Sequence, residues 1–240
     1  MSDNGWTKTW PTPAESADLG WEESPSSLSG LEAWAATLIK SLQESCKEGA
    51  SSDLTVRYHG SEHKFHKVIV CGQSGFFAKA LKNFKEAQTN TVELNEGSAE
   101  VLDALFSYIT TSNYQYQDKG EPGPWALTNR ENSIHAELMF HSEVYAAADF
   151  YDISPLKPLA ASKFDKVRSD KIPLAVLKHV YESTPDGDRG LRDVVLRIEL
   201  SSFRERHGMG DDSVDYVVDV PDLARDLLRG LGTAFAFIHV

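Results

Sequence analysis

The apolar positions of this chain recur at two different spacings. Over residues 30–48 they stand three and four positions apart, which is typical of one face of a helix. These positions are Leu31, Trp34, Leu38 and Leu42. Over residues 52–58 they alternate with polar positions, which predicts a strand. A turn at 59–61 leads into a second strand, which the apolar run extends over 61–70. The pattern thus predicts an amphipathic helix followed by a β-hairpin.

The pattern after the hairpin is mainly helical. Helical spacing predicts helices over 75–84 and 98–111, the second with Ser98 as its cap, and the segment TNTVEL predicts one more strand. Two helices then follow up to residue 164, broken near DISP. Two more helices, over 170–184 and 188–203, are separated by a Pro-Asp-Gly turn at 185–187, and a last helix covers 219–232. Three short strands among many helices predict an α+β fold.

Polar segments divide the chain into four parts. Residues 1–29 are rich in Ser, Pro, Glu and Thr and predict a disordered lead, whose Trp6, Trp10 and Trp21 belong either to a loosely docked tail, which we favour, or to a partner motif. An amphipathic helix at 30–50 follows. A domain at 51–168 contains a polar, Gly- and Pro-rich insertion at 115–133, and residues 169–240 form a helical extension.

Composition and charge exclude several classes of protein. The 240 residues carry a formal net charge of −12, which repels phosphate backbones and disfavours nucleic-acid binding. No stretch approaches the length of a membrane helix, and the first twenty residues lack the apolar core of a signal peptide. The two cysteines are too few for a disulfide framework. We therefore expect an intracellular protein that meets neither membrane nor nucleic acid.

The stretch FHKVIVCGQSGFF is the best candidate for a catalytic nucleophile. Its GQSGF segment is close to the Gly-x-Ser-x-Gly elbow, but the second glycine comes one place early and Phe76 stands where a small residue is needed. A helix beginning at Ser74 explains the pattern better. Cys71 and His66 are five positions apart, and a cysteine in an apolar run more often packs as a small hydrophobe. We expect no enzyme and no cofactor.

The possible metal ligands and the clusters of charged residues are equally weak evidence for a functional site. His63 and His66 would point to opposite faces of one strand, so they cannot share an ion with His59, and His135 and His141 are six apart on a later helix. We expect no metal site. The acidic pairs and the basic strip fit solvated surfaces better than sites. These residues are Glu22, Glu23, Asp211, Asp212, Lys79, Lys82 and Lys85.

The order of five short motifs resembles the BTB/POZ domain family. The chain has the family's Ser-Asp-apolar-Thr-apolar strand, a near match to its Phe-x-His-Lys motif, and then Ser-x-Phe-Phe, Phe-Lys-Glu and Ala-Asp-x-Tyr-Asp segments. The matching residues are Ser52–Val56, Phe65–Ile69, Ser74–Phe77, Phe84–Glu86 and Ala148–Ile153. The chain is also similar to short single-BTB proteins of filamentous fungi, through VYEST, GLRDVVL and DLARDLL.

The resemblance implies a BTB/POZ fold with a small three-stranded sheet, flanking helices and a helical C-terminal extension. It implies a protein–protein interaction module that dimerises or scaffolds, with protein partners and a homodimer expected. It places Asp53, His66 and Lys67 at the base of the dimer groove, with Asp53 paired to Lys67 or hydrogen-bonded to His66. With the apolar positions of the first helix, the expected dimer interface is Leu31, Trp34, Leu38, Asp53, His66 and Lys67.

The alternative that the resemblance implies is a substrate adaptor for a Cullin-3-type ubiquitin ligase. Its expected contacts are Phe106, Tyr108 and Tyr114, together with the helices at 137–165. Two features depart from the family near this surface: Thr110-Thr111-Ser112 replaces Tyr-Thr-Gly, and the 115–133 insertion replaces a short connection.

Overall fold

The computed structural model describes residues 28–48, 52–83, 86–117, 126–167, 169, 172–205 and 219–236. The predicted disordered lead, with its three tryptophans, lies outside the described residues except for 28–29, which already belong to helix α1, Leu28–Glu48. The acidic pairs and Lys85 also lie outside them, as do residues 118–125 of the insertion.

Three short strands form the sheet: β1, Leu54–Tyr58; β2, Ser61–Phe65; and β3, Thr91–Leu94. The order is β2-β1-β3, with β2 antiparallel and β3 parallel to β1. The hairpin turn is confirmed: Tyr58 pairs with Ser61, and His59 and Gly60 between them have φ of 48° and 76°. Two consecutive positive φ values give the turn type whose twist suits a two-residue hairpin.

Helices cover the sheet and continue beyond it. Their bounds are α2, Lys67–Gln73; α3, Gly75–Asn83; α4, Glu86–Thr89; α5, Ala99–Thr111; α6, Ala126–Phe150; α7, Leu156–Lys166; α8, Leu174–Ser183; α9, Arg189–Glu205; and α10, Pro221–Ala236. The Ser98 hydroxyl caps α5 by accepting from the Val101 N–H at 3.3 Å, as predicted. The core joins the inner face of the sheet to α3, α5, α6 and α7.

Two predicted element boundaries are wrong. The second strand ends at Phe65, and helix α2 begins at Lys67, whereas the apolar run predicted that the strand continues to residue 70. The predicted insertion at 115–133 is partly helical, because α6 already includes residues 126–133. In α2, Val70 is buried in the core, and this packing favours a helix over the strand that the local pattern predicted.

The turn between α8 and α9 connects the C-terminal extension to the domain. Tyr145 of α6 donates its hydroxyl to Asp188 Oδ1 at 2.6 Å, and the ammonium of Lys157 lies 2.6 Å from Asp188 Oδ2. Burial opposes ionisation of Asp188, but these two donors hold its pKa below the usual range. The next residue, Arg189, pairs with Asp226 of α10 at 2.7 Å. The result is an α+β domain with a helical C-terminal extension fixed to it.

Candidate protein-interaction surface

Helix α1 presents its large apolar side chains to solvent. Trp34 is 58% exposed, and its neighbours on the same stripe are also exposed. These neighbours are Leu31, Leu38, Ile39 and Leu42. Among the α1 side chains that the structure describes, only Gly30, Ala35 and Ser45 are partly covered. A contiguous apolar stripe that a chain leaves uncovered is typical of a surface that binds another protein.

Helix α1 contacts α5, and near its C-terminal end it also contacts the junction between β2 and α2. The Ser45 hydroxyl lies 3.1 Å from His66 Nε2, at the junction between β2 and α2. Ser45 continues the stripe of Leu38 and Leu42 at helical spacing, so the stripe begins uncovered and ends against the domain. His66, the residue before the first turn of α2, thus contacts α1 through this hydrogen bond.

Asp53 and Lys67 do meet, but through different atoms from those expected. The Asp53 carboxylate accepts from the backbone N–H of Lys67 at 2.7 Å, and the Lys67 ammonium donates to Asn90 Oδ1 at 3.1 Å. Lys67 is the first residue of α2, so Asp53 acts as a helix cap supplied from fourteen residues away. Its negative charge also complements the positive end of the helix dipole. The expected Asp53–Lys67 charge pair is thus replaced by a cap.

Two of the three residues expected to contact a cullin are buried. Phe106 is 3% exposed and Tyr114 is 1% exposed, and both belong to the core. Phe106 stacks on Phe65 with ring centroids 4.4 Å apart. Tyr108 is half-buried and remains accessible to a partner. Because the rings of Phe106 and Tyr114 pack inside the domain, Tyr108 is the accessible member of the three expected contacts, and the cullin contact itself stays a prediction.

The Ser74 hydroxyl of the GQSG motif has a structural role. It is 1% exposed, donates to the Tyr151 carbonyl at 2.6 Å and accepts from the Phe77 N–H at 3.2 Å. Its neighbour Gly75 packs so closely on Asp152 that a Cβ there would clash with the Asp152 carboxylate. Ser74 therefore caps α3 and joins it to the turn between α6 and α7, which is the helix entry that the sequence favoured over a nucleophile elbow.

We expect Ser74→Ala to lower the free energy of unfolding by about 1–2 kcal/mol, because it removes a cap and leaves a buried carbonyl without its donor. Urea denaturation followed by circular dichroism measures this. The control is Ser201→Ala, since Ser201 is exposed and bonds only to the Arg197 carbonyl in its own helix. Equal losses in the two variants would contradict the role of Ser74.

Cys71 lies partly buried on α2, with its Sγ 3.8 Å from the Phe77 carbonyl oxygen. Burial raises the pKa of its thiol, with Lys67 opposing and Asp53 adding to the rise, so the thiolate is disfavoured. Within the described residues, no group of three or more His, Cys, Asp or Glu side chains is placed to hold a metal ion. No helix in the same residues is long and apolar enough to cross a membrane.

His141 is a buried histidine that sequence reasoning noted only as a weak metal candidate. Its Nδ1 lies 2.9 Å from the Tyr114 hydroxyl, and its Nε2 lies 3.7 Å from Glu137. Burial, with a smaller effect of the Lys163 ammonium, lowers the pKa of His141 to about 4. The ring is therefore neutral at pH 7, and this part of the domain is sensitive to acid.

The free energy of unfolding should decrease as the pH is lowered, because of His141. The unfolded chain binds this proton near pH 6.5, whereas the folded chain resists it until pH is about 4. Below about pH 6.5 protonation thus favours the unfolded state, with a loss of up to about 3 kcal/mol on reaching about pH 4.

We expect His141→Gln to lose less stability than the wild type over that range, because glutamine keeps a polar partner for Tyr114 and does not titrate. Urea denaturation at several pH values, at one protein concentration, measures the difference. The control is His135→Gln, which replaces an exposed histidine of the same helix. An unchanged pH dependence in His141→Gln would contradict the assignment.

The comparisons with known proteins agree with this geometry. Residues 42–124 match the model of the BTB/POZ domain family, from the last turns of α1 through the sheet and α5. No curated protein matches the chain, so the similarity to fungal single-BTB proteins stays a prediction. Domains of this family are generally non-enzymatic and bind other proteins. The fold and this match over residues 42–124 together show the α+β fold of a BTB domain, with a helical extension after it.

Proposed function

We propose that this protein is an assembly module that forms a homodimer through the exposed apolar stripe of α1. The observation that carries the proposal is the uncovered stripe itself: Leu31, Trp34 and Leu38 are exposed along a 21-residue helix that touches its own domain near one end. An isolated helix has little stability in water, and most helical stability comes from packing an apolar face. A partner that covers the stripe supplies that packing.

A second copy of the chain is the occupant that we favour. The stripe is apolar along its length, so two copies crossing on a two-fold axis bring the same surface against itself without burying unpaired charges. The interface extends from α1 toward the junction of β2 and α2, where Val68 is exposed and His66 holds α1 through Ser45. In this proposal Asp53 and Lys67 shape the base of the interface by capping α2, rather than by contacting the partner.

Sedimentation equilibrium of the full chain tests the proposal. We expect a mass about twice the 26.6 kDa of one chain, with dissociation only at low concentration. A mass of one chain at every concentration would contradict homodimerisation. A larger, concentration-dependent mass without a limit would indicate open-ended association instead.

The alternative function is a substrate adaptor for a Cullin-3-type ubiquitin ligase. It is favoured by an open cleft of about 470 Å³ between the loop after α5 and helices α6 and α7, the face on which sequence reasoning placed the contact. Tyr116, Glu137 and Lys163 line this cleft, and Tyr108 is the accessible residue of the three expected contacts.

Calorimetry with the N-terminal domain of a Cullin-3-type scaffold separates the two functions. An adaptor binds at submicromolar concentration and loses affinity in Tyr108→Ala with its dimer mass unchanged. Thr111→Ala is the control, since Thr111 is exposed at the end of the same helix. Absence of heat from a clean dimer would contradict the adaptor role and leave the assembly role.

A further inference from the structure

A second candidate surface is a cleft of about 480 Å³ between α5, α6 and α8. Its apolar wall includes Val101, Leu102 and Ala147. Phe150 stands at the rim and is 58% exposed, which is unusual for so large an aromatic side chain. The cleft has the size and the mainly apolar lining of a site for a few side chains of a ligand.

Two buried polar atoms in this cleft have no partner. His179 Nε2 and Ser183 Oγ are buried, and no residue that the structure describes forms a hydrogen bond with either atom. Both residues line the cleft, one helical turn apart on α8. Buried polar atoms are nearly always hydrogen-bonded, and each one left without a partner costs about 1–3 kcal/mol. A ligand that supplies the missing partners recovers part of that cost.

The Glu143 carboxylate faces the same cleft without a partner. It is half-buried on α6, and within the described part of the chain no hydrogen-bond donor or ion-pair partner contacts it. Burial raises the pKa of Glu143, with the charge of Glu100 adding to the rise and His179 opposing it. A cation bound beside Glu143 would reverse this effect and gain a charge-assisted hydrogen bond.

The acidic side chains that line the cleft favour a positively charged ligand. Glu96 and Asp149 line it along with Glu143, and no Lys or Arg is among its described lining residues. The Lys157 ammonium lies 2.5 Å from Asp149, which leaves Glu143 as the inner carboxylate available for a ligand cation. Nucleic acids and other anions are repelled from such a site.

We propose that this cleft binds a segment of a partner protein in which an arginine or lysine stands beside an apolar residue. The cation binds the Glu143 carboxylate, the apolar side chain packs against Phe150 and Val101, and backbone groups of the segment hydrogen-bond with His179 and Ser183. The proposed homodimer uses the exposed stripe of α1, which contributes no described residue to the lining of this cleft, so the two proposals can be tested separately.

Nuclear magnetic resonance with dipeptide probes tests the proposal on the full chain. The probe is acetyl-Leu-Arg-amide. Its matched partners are acetyl-Leu-citrulline-amide, which lacks the charge, and acetyl-Gly-Arg-amide, which lacks the apolar side chain. We expect saturable shifts at the amides of Ala146, Ala147 and His179, with affinity about tenfold weaker for citrulline. Equal affinity of the charged and citrulline probes, or shifts spread over the acidic surface, would overturn the proposal.

Variants locate the binding. Glu143→Gln should weaken the charged probe about tenfold and leave the citrulline probe unchanged, since only the charge interaction is lost. Glu32→Gln, an exposed carboxylate on α1, is the matched control and should change neither. Ala146→Leu places a side chain in the cleft and should block both probes. Binding that survives Ala146→Leu, or a sedimentation-verified dimer that binds no probe, would overturn the site without affecting the homodimer.

Discussion

Trp34→Glu is expected to convert the dimer into a monomer, with a dissociation constant raised at least about a thousandfold. Aromatic residues at the centre of an apolar interface typically contribute about 2 kcal/mol or more each, and a two-fold interface contains both copies of Trp34. Two such losses together exceed the roughly 4 kcal/mol of a thousandfold change. The glutamates would in addition bring two negative charges together in a region removed from water.

Sedimentation velocity on matched samples measures this effect. The control is Leu228→Glu, which also replaces an exposed apolar side chain by a glutamate, but on α10 in the extension. Leu228→Glu should keep the circular dichroism of the wild type, and Trp34→Glu should lose at most the helical signal of α1, because neither side chain packs in the core of one chain. A Trp34→Glu variant with the mass of the wild type would show that α1 does not form the interface.

Arg192→Ala is expected to lower the free energy of unfolding by about 3–5 kcal/mol, the largest stability effect that we predict. The guanidinium is 3% exposed at the end of α8, where it donates to the Tyr181 carbonyl at 3.0 Å and also to the Thr184 carbonyl. It also donates to Thr184 Oγ1 and to Asp186 Oδ1, each at 2.8 Å. Removing it leaves buried carbonyl oxygens without donors at the negative end of a helix.

Two further variants test the geometry. Arg192→Lys keeps the charge but cannot supply a planar fork of donors, so we expect an intermediate loss. Arg197→Ala is the control, because Arg197 is exposed and pairs with Asp165 on the surface, where a pair contributes about 1 kcal/mol or less. Urea denaturation at one protein concentration measures all three. Similar losses in Arg192→Ala and Arg197→Ala would contradict the capping role of Arg192.

Short patterns in the sequence predicted the elements that are stabilised by residues close together in the chain. The apolar stripe of α1 and the caps at Ser74 and Ser98 are visible within a few positions of each other. The hairpin turn is equally local. The same helical spacing places Phe106 on the apolar face of α5, and the structure buries it there. The prediction that Phe106 contacts a partner came from the family resemblance, whereas the helical spacing of α5 already predicted a buried position.

Long-range contacts explain what the sequence did not predict. Residues 67–70 were predicted as strand because VIV is apolar, yet the cap that begins α2 comes from Asp53 across the hairpin. Tyr114 was expected on the surface, but its hydroxyl meets His141 on α6, a partner twenty-seven residues away. The cleft polar groups likewise come from α6 and α8, so no local motif marks Glu143 as the neighbour of His179 and Ser183.

The central claim is that the α1 stripe of one chain packs against the α1 stripe of another. An isotope-filtered nuclear Overhauser experiment on a mixed dimer, in which one copy carries labelled Leu and Ile methyl groups and the other is unlabelled, measures this contact without a mutation. We predict intermolecular signals between the Trp34 indole of the unlabelled copy and the methyl groups of Leu31, Leu38 and Ile39 of the labelled copy. A dimer whose intermolecular signals come only from residues outside α1 would contradict the account.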